Sequence, residues 1–127
     1  MSMPENIEEL ASELVSVCRT AIGDELRSIT YFTADDYEQL YLRDDLKQDA
    51  DLDRFVANER LGFTSQQTYG GSELGDYGFT IRVFEHGYVT RVIAGERGVF
   101  VTTDPLNMNG FHEVETAVRS VLEETDT

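Results

Sequence analysis

Asp49, Asp51 and Asp53 stand at alternate positions. That D-x-D-x-D spacing lets carboxylates converge on a divalent cation. A calcium loop of this kind also needs glycine at its sixth position and glutamate at its twelfth. Those places hold Arg54 and Arg60, so a capped, solvated helix start is the simpler reading. Asp35-Asp36 and Asp44-Asp45 are explained by turn chemistry. His86 and His112 are the only histidines, and neither has a partner at zinc-ligand spacing. Cys18 is the single cysteine and lies beside an apolar stripe, so it reads as a half-buried packing residue rather than a reactive thiol. The segment Gly70-Gly71-Ser72-Glu73-Leu74-Gly75 lacks the G-K-[ST] of a phosphate loop and leads into a strand, so it reads as a connection. No G-x-S-x-G elbow is present. No catalytic residue, metal ligand or cofactor contact is therefore expected, and the chain is not expected to be an enzyme.

One group of side chains is left. Arg82, Arg91 and Arg43 are placed to share a sheet face with Tyr41, Tyr77 or Tyr31. Such a patch would be a basic surface on an acidic protein, suited to an anion or an acidic partner segment. Surface arginines already held in salt bridges are the alternative.

The elements that must position these residues are legible from periodicity. Tyr77, Phe79, Ile81 and Val83 alternate with smaller or polar residues, which predicts a strand. Glu85-His86-Gly87 makes a turn, with Gly87 expected at positive φ. Tyr88 to Ile93 and Val99 to Thr103 are the next strands, joined by a turn at Ala94-Gly95-Glu96-Arg97-Gly98. Residues 27 to 43 read as a β-hairpin turning at Thr33-Ala34-Asp35-Asp36, with a helix through Asp35 to Leu46 as the competing reading. Residues 2 to 22 read as a helix, opened by the S-x-x-E capping box at Ser2-Met3-Pro4-Glu5 and closed by Gly23. Its apolar stripe is Ile7, Leu10, Leu14, Val17 and Ala21. Residues 46 to 61 read as a second helix, capped by Asp49 or Asp51, with Leu52, Phe55 and Val56 on one face. Gly62 either ends it or sits within a longer helix reaching Tyr69. The last helix follows Asn107 or Asn109 as N-cap and buries Phe111, Val114, Val118, Val121 and Leu122. Residues 123 to 127 are expected to fray.

The order is α-β-β-α-β-β-β-α. It predicts one α+β domain over residues 1 to 127: a single antiparallel-type five-stranded sheet, with the terminal helices on one face. A chain of 127 residues can bury a core of its own. Asp and Glu number 25 against 10 Lys and Arg, a net charge of −15. That field repels phosphate backbones and anionic bilayers, so neither nucleic acid nor membrane is an expected partner. No apolar run approaches a membrane span, and the acidic N-terminus lacks a signal-peptide pattern, so a cytoplasmic location is expected. The acidic residues are spread along the chain, and Lys47 is the only lysine. The pattern resembles that of proteins from salt-loving archaea, where screening shortens the reach of self-repulsion. The chain also looks like one of their small acidic families of unknown function.

The element order resembles the roadblock/dynein-light-chain family, and more loosely the profilin, longin and PAS-like modules. The resemblance covers nearly the whole chain as an order of elements and carries no site residue across. It implies a non-enzymatic interaction or regulatory module that pairs through helix and sheet edges, is homodimeric, and acts on a protein partner of the small-GTPase kind. The alternative is a PAS-like small-ligand sensor, with a cavity lined by Phe79, Ile81, Phe100 and Phe55.

Overall fold

The computed structural model describes residues 6–46 and 52–124. The proposed caps at Ser2-Met3-Pro4-Glu5, Asp49 and Asp51 lie outside them. In chain order come α1 (Ile7–Ile22), β1 (Leu26–Phe32), β2 (Tyr37–Leu42), α2 (Leu52–Arg60), α3 (Gly62–Ser65), β3 (Thr80–Val83), β4 (Tyr88–Ala94), β5 (Arg97–Thr103) and α4 (Met108–Glu124). The five strands form one antiparallel sheet in the order β2-β1-β5-β4-β3. The α+β fold expected from the element order is the one observed. The hairpin reading of residues 27 to 43 holds, and its strands join the meander through β1 and β5.

One face of the sheet is covered by α1 and α4. Ile29, Tyr31, Val92, Val99 and Val101 pack there against Leu10, Leu14, Cys18 and Ile22 of α1 and Val114, Val118, Val121 and Leu122 of α4. The α1 stripe differs from expectation. Its fully buried members repeat every four residues, whereas Ile7, Val17 and Ala21 are only partly buried. Cys18 therefore sits at the centre of the stripe, completely buried, and loss of hydration pushes its thiol pKa up to about 12. Gly23 ends α1 at φ 59°. The side-chain Oδ1 of Asn107 accepts the Gly110 N–H at 2.8 Å and so caps α4. α4 takes in Glu123 and Glu124, which were expected to fray.

The opposite face has its own layer. A second cluster of Phe32, Val56, Val89 and Phe100 is packed by Tyr37, Leu52, Phe55 and Phe63. The face expected to be wetter is thus half covered by α2 and α3. Gly98, opposite Phe32 on β1, leaves room for that ring. A Cβ at 98 would be built into the Phe32 ring itself.

Three local readings are corrected. β3 begins at Thr80, not Tyr77. The Arg119 guanidinium donates to the carbonyls of Ile93 (3.1 Å) and Gly78 (2.8 Å), occupying the space where the ladder would continue. Gly87 does not adopt positive φ. It is small because any Cβ there would lie 2.7 Å from the Thr103 carbonyl oxygen. The β4–β5 turn is only Gly95-Glu96, since Ala94 pairs with Arg97, and Gly95 supplies φ 64°.

The Phe32–Gly98 contact gives a test of the second layer. Gly98→Ala should destabilise the fold by about 1–3 kcal/mol through overpacking, measured by chemical denaturation. An unchanged midpoint would mean that Phe32 has an alternative rotamer with room to spare.

Candidate functional site

The four residues of the expected patch are not gathered. Arg82 and Arg91 come together, on the face under α2. Arg43 and Tyr41 are elsewhere. Arg43 lies beyond β2, where its Nη1 donates to Asp104 (2.8 Å) and its Nε to Asp45 (2.6 Å). Arg27 donates to the same Asp104 carboxylate at 3.1 Å. The Arg43 guanidinium, aided by Arg27, holds the Asp104 carboxyl below the usual range. Tyr41 points to the α1 side and accepts a hydrogen bond from Arg19 at 3.1 Å. The two histidines are also apart. His86 is exposed on the β3–β4 turn, and His112 stands edge-on to Phe79 at 5.6 Å. Among the described residues no group of His, Cys, Asp or Glu is placed to hold a metal ion.

Arg82 and Arg91 meet at Glu59, which α2 lowers onto the sheet. Cross-strand pairing sets Thr80 opposite Arg91 and Arg82 opposite Val89, so all four side chains point to the same face. Arg82 donates twice to the Glu59 carboxylate, at 2.7 and 3.2 Å. Arg91 Nη1 donates to it at 3.0 Å, and Arg91 Nη2 reaches Tyr77 Oη (2.9 Å) and Thr80 Oγ1 (2.8 Å). Glu59 and Arg91 are both about 95% buried. Hydrogen bonding to Glu59 raises the Arg82 pKa. Gly62 lets the helical layer lie on Arg91, because a Cβ there would sit 2.5 Å from the guanidinium carbon. The chain continues as helix past that glycine, through α3 and a 3-10 turn to Tyr69. Arg91 is therefore a clamp for α2, not a free anion site. The sequence signals were an arginine inside a β pattern and a glutamate on the apolar side of α2.

Beside α2 lies an open groove of about 620 Å³. Leu42, Leu46, Leu52, Phe55, Phe84 and Val89 supply its apolar walls. Phe55 and Phe100 line it, as the cavity reading expected. Phe79 instead packs on the α1–α4 side, and Ile81, paired with Thr90, points away from α2.

The sheet has two open edges, and they differ. β2 is bulged: Ile29 pairs with Tyr41 and Thr30 with Gln39, leaving Leu40 unpaired, and Glu38 is exposed on it. β3 is regular. Phe84 N–H donates to Gly87 O at 2.9 Å, so by alternation Arg82 and Thr80 bond to β4. The N–H and C=O groups of Ile81 and Val83 then point out of the sheet. Among the described residues, the large exposed hydrophobics are Val83 and Phe84 at the end of β3, Leu61, Tyr69 and Leu74 in the stretch between α2 and β3, and Met108.

The clamp makes a prediction about stability. Glu59→Gln should cost about 3–5 kcal/mol, because Arg91 would be left buried without its counter-charge. Urea unfolding of the two proteins measures it. A loss below about 1 kcal/mol would show that α2 is held by its apolar contacts alone.

A gliding protein, MglB, from Thermus thermophilus has a solved structure similar to this one. The TM-score is 0.60 at 14% identity, covering 98% of this chain and 97% of that one. At that identity the likeness is one of fold, and it supports the roadblock-like architecture expected from the element order. No curated protein matches the chain. A family model described as a domain of unknown function, DUF7522, matches residues 12–123, and the chain belongs to that family.

Proposed function

We propose that the chain is a non-enzymatic protein-interaction or regulatory module that works as a homodimer, pairing two copies of β3 edge to edge. The observation that carries this reading is the regular, unpaired β3 edge, with Val83 70% exposed and Phe84 48% exposed at its end. Bare regular edges are normally blunted by charge, proline or a bulge. β2 has such a bulge and an exposed glutamate; β3 offers outward-pointing Ile81 and Val83 backbone groups beside an apolar side chain. Arg82, the only charged residue of β3, is held back by Glu59. The roadblock-like fold supports the same reading, since the family resemblance implies pairing through sheet edges.

The dimer in turn meets a further protein partner. No helix among the described residues is long and apolar enough to cross a membrane. The net charge of −15 disfavours nucleic acid and anionic lipid, and we infer that the protein acts inside the cell. The same charge suits an environment of high salt, where the Debye length falls to about 3 Å at 1 M and two acidic copies can approach.

Sedimentation equilibrium in molar salt tests the pairing. The wild-type chain is expected at twice its 14.4 kDa monomer mass. Val83→Glu, which sets like charges at the shared edge, should weaken association by about tenfold or more, a cost of at least about 1.4 kcal/mol. A wild-type chain that stays monomeric at the highest soluble concentration would contradict the proposal.

A further inference from the structure

The groove beside α2 differs from the rest of the surface in what lies on its floor. Ser28 and Thr102 face each other across β1 and β5, and their hydroxyls are 2.5 Å apart. Ser28 is 94% buried and still lines the groove. A hydroxyl pair has two hydrogens, and only one can lie between the oxygens. The other is left to donate into the groove. Gln39 lines the same wall and adds an amide with both donor and acceptor capacity.

Around this polar floor the walls are aromatic. Phe55 and Phe84 stack at 6.0 Å with 30° between their planes, and Phe55 meets Phe100 edge-on at 6.4 Å. Phe84 is 48% exposed, so part of this aromatic side chain is accessible to a further ring. The volume, about 620 Å³, is that of a small-molecule site.

Among the described residues, the charged or titratable side chains at the groove are Arg27, Glu85 and His86. Arg27 is a cation on its rim, and its Nη1 is already donated to Asp104 at 3.1 Å. His86 and Glu85, 3.5 Å apart and both exposed, lie on the β3–β4 turn, whose Gly87 comes close to the Arg27 side chain. A chain of net charge −15 repels an anion, and among the described residues the floor has no carboxylate to receive a cation.

We propose that this groove binds a small, flat, uncharged aromatic molecule carrying a carbonyl oxygen. Its ring stacks on Phe84 and Phe55, and its carbonyl accepts the spare hydroxyl hydrogen of the Ser28–Thr102 pair. Phe84 borders both the groove and the β3 end, whereas the Ser28–Thr102 floor lies on β1 and β5, with β4 between it and the β3 edge.

Coumarin, a neutral aromatic lactone, is the probe. Titrated into the full chain in molar salt, it should shift the backbone amide resonances of Val89, Phe100 and Thr102 saturably. Indane, which lacks the carbonyl, and benzoate, which is charged, should bind about tenfold more weakly or worse. The double variant Ser28→Val with Thr102→Val puts a strand-favouring apolar residue at both positions, and it should lose about tenfold in coumarin affinity. Phe84→Leu is an independent variant at the surface, and it should weaken binding without unfolding the sheet. Three results would overturn the proposal. One is no saturable shift at these amides up to the solubility limit of coumarin. Another is equal affinity for coumarin and indane. The last is a Thr102 amide, on β5 and away from the β3 edge, that already shifts on concentrating the protein alone, which would make a second copy the occupant of the groove floor.

Discussion

The Glu59 carboxylate is the point on which the second layer of this protein rests. It is almost completely buried and accepts hydrogen bonds from Arg82 and Arg91. Each of these charges would lose several kcal/mol of hydration if buried alone. Together, and with Tyr77 and Thr80 taking the second Arg91 nitrogen, they offset much of that loss. α2 needs the help. It is short and mostly polar, and among its own residues only Val56 and Glu59 are fully buried. A nine-residue helix of this composition would be marginal by itself. The clamp fixes where it crosses the sheet, and Gly62 fixes how closely it approaches.

What is left bare follows from where α2 lies. It covers Phe32, Val89 and Phe100, and its Phe55 stacks on Phe84, leaving open the space lined by Leu42, Ser28 and Thr102. The remaining space is the groove. Glu59 of α2 also takes up the charge of Arg82, the one charged residue of β3 that would otherwise guard its edge. The packing that stabilises the layer therefore leaves the groove and the β3 edge uncovered among the described residues. The α1–α4 side is different. Its core interlocks small and medium apolar side chains around Cys18, and its outer surface carries acidic residues such as Glu8, Glu9 and Glu113.

Much of this was legible in the residue pattern. The period-2 runs located β4 and β5 to within a residue or two, and the 3.6-period face of α4 named its buried side chains. The failures have identifiable causes. Tyr77 and Phe79 alternate as a strand should, but Arg119, some 40 residues later, takes the carbonyls of Gly78 and Ile93. Periodicity cannot register such a competitor. In α1 two apolar stripes overlap, and packing against the sheet and α4 buries the one through Cys18. Arg91 reads as a surface arginine until α2 is known to cross above it. Its partner Glu59 is 32 residues away. The proposed patch scattered because the β1–β2 register sets Tyr41 opposite Ile29 on the α1 side, while Arg43 lies past the end of β2.

The central claim is that β3 ends the sheet in one copy and is its junction in two. Amide hydrogen exchange of Ile81 and Val83 tests it most directly, because their N–H groups point away from β4 and have no partner within the chain's ladder. The account predicts that their exchange slows as protein concentration rises through the association range, while the α4 amides are unaffected. Rapid exchange at both positions, unchanged from dilute to concentrated solution, would contradict it.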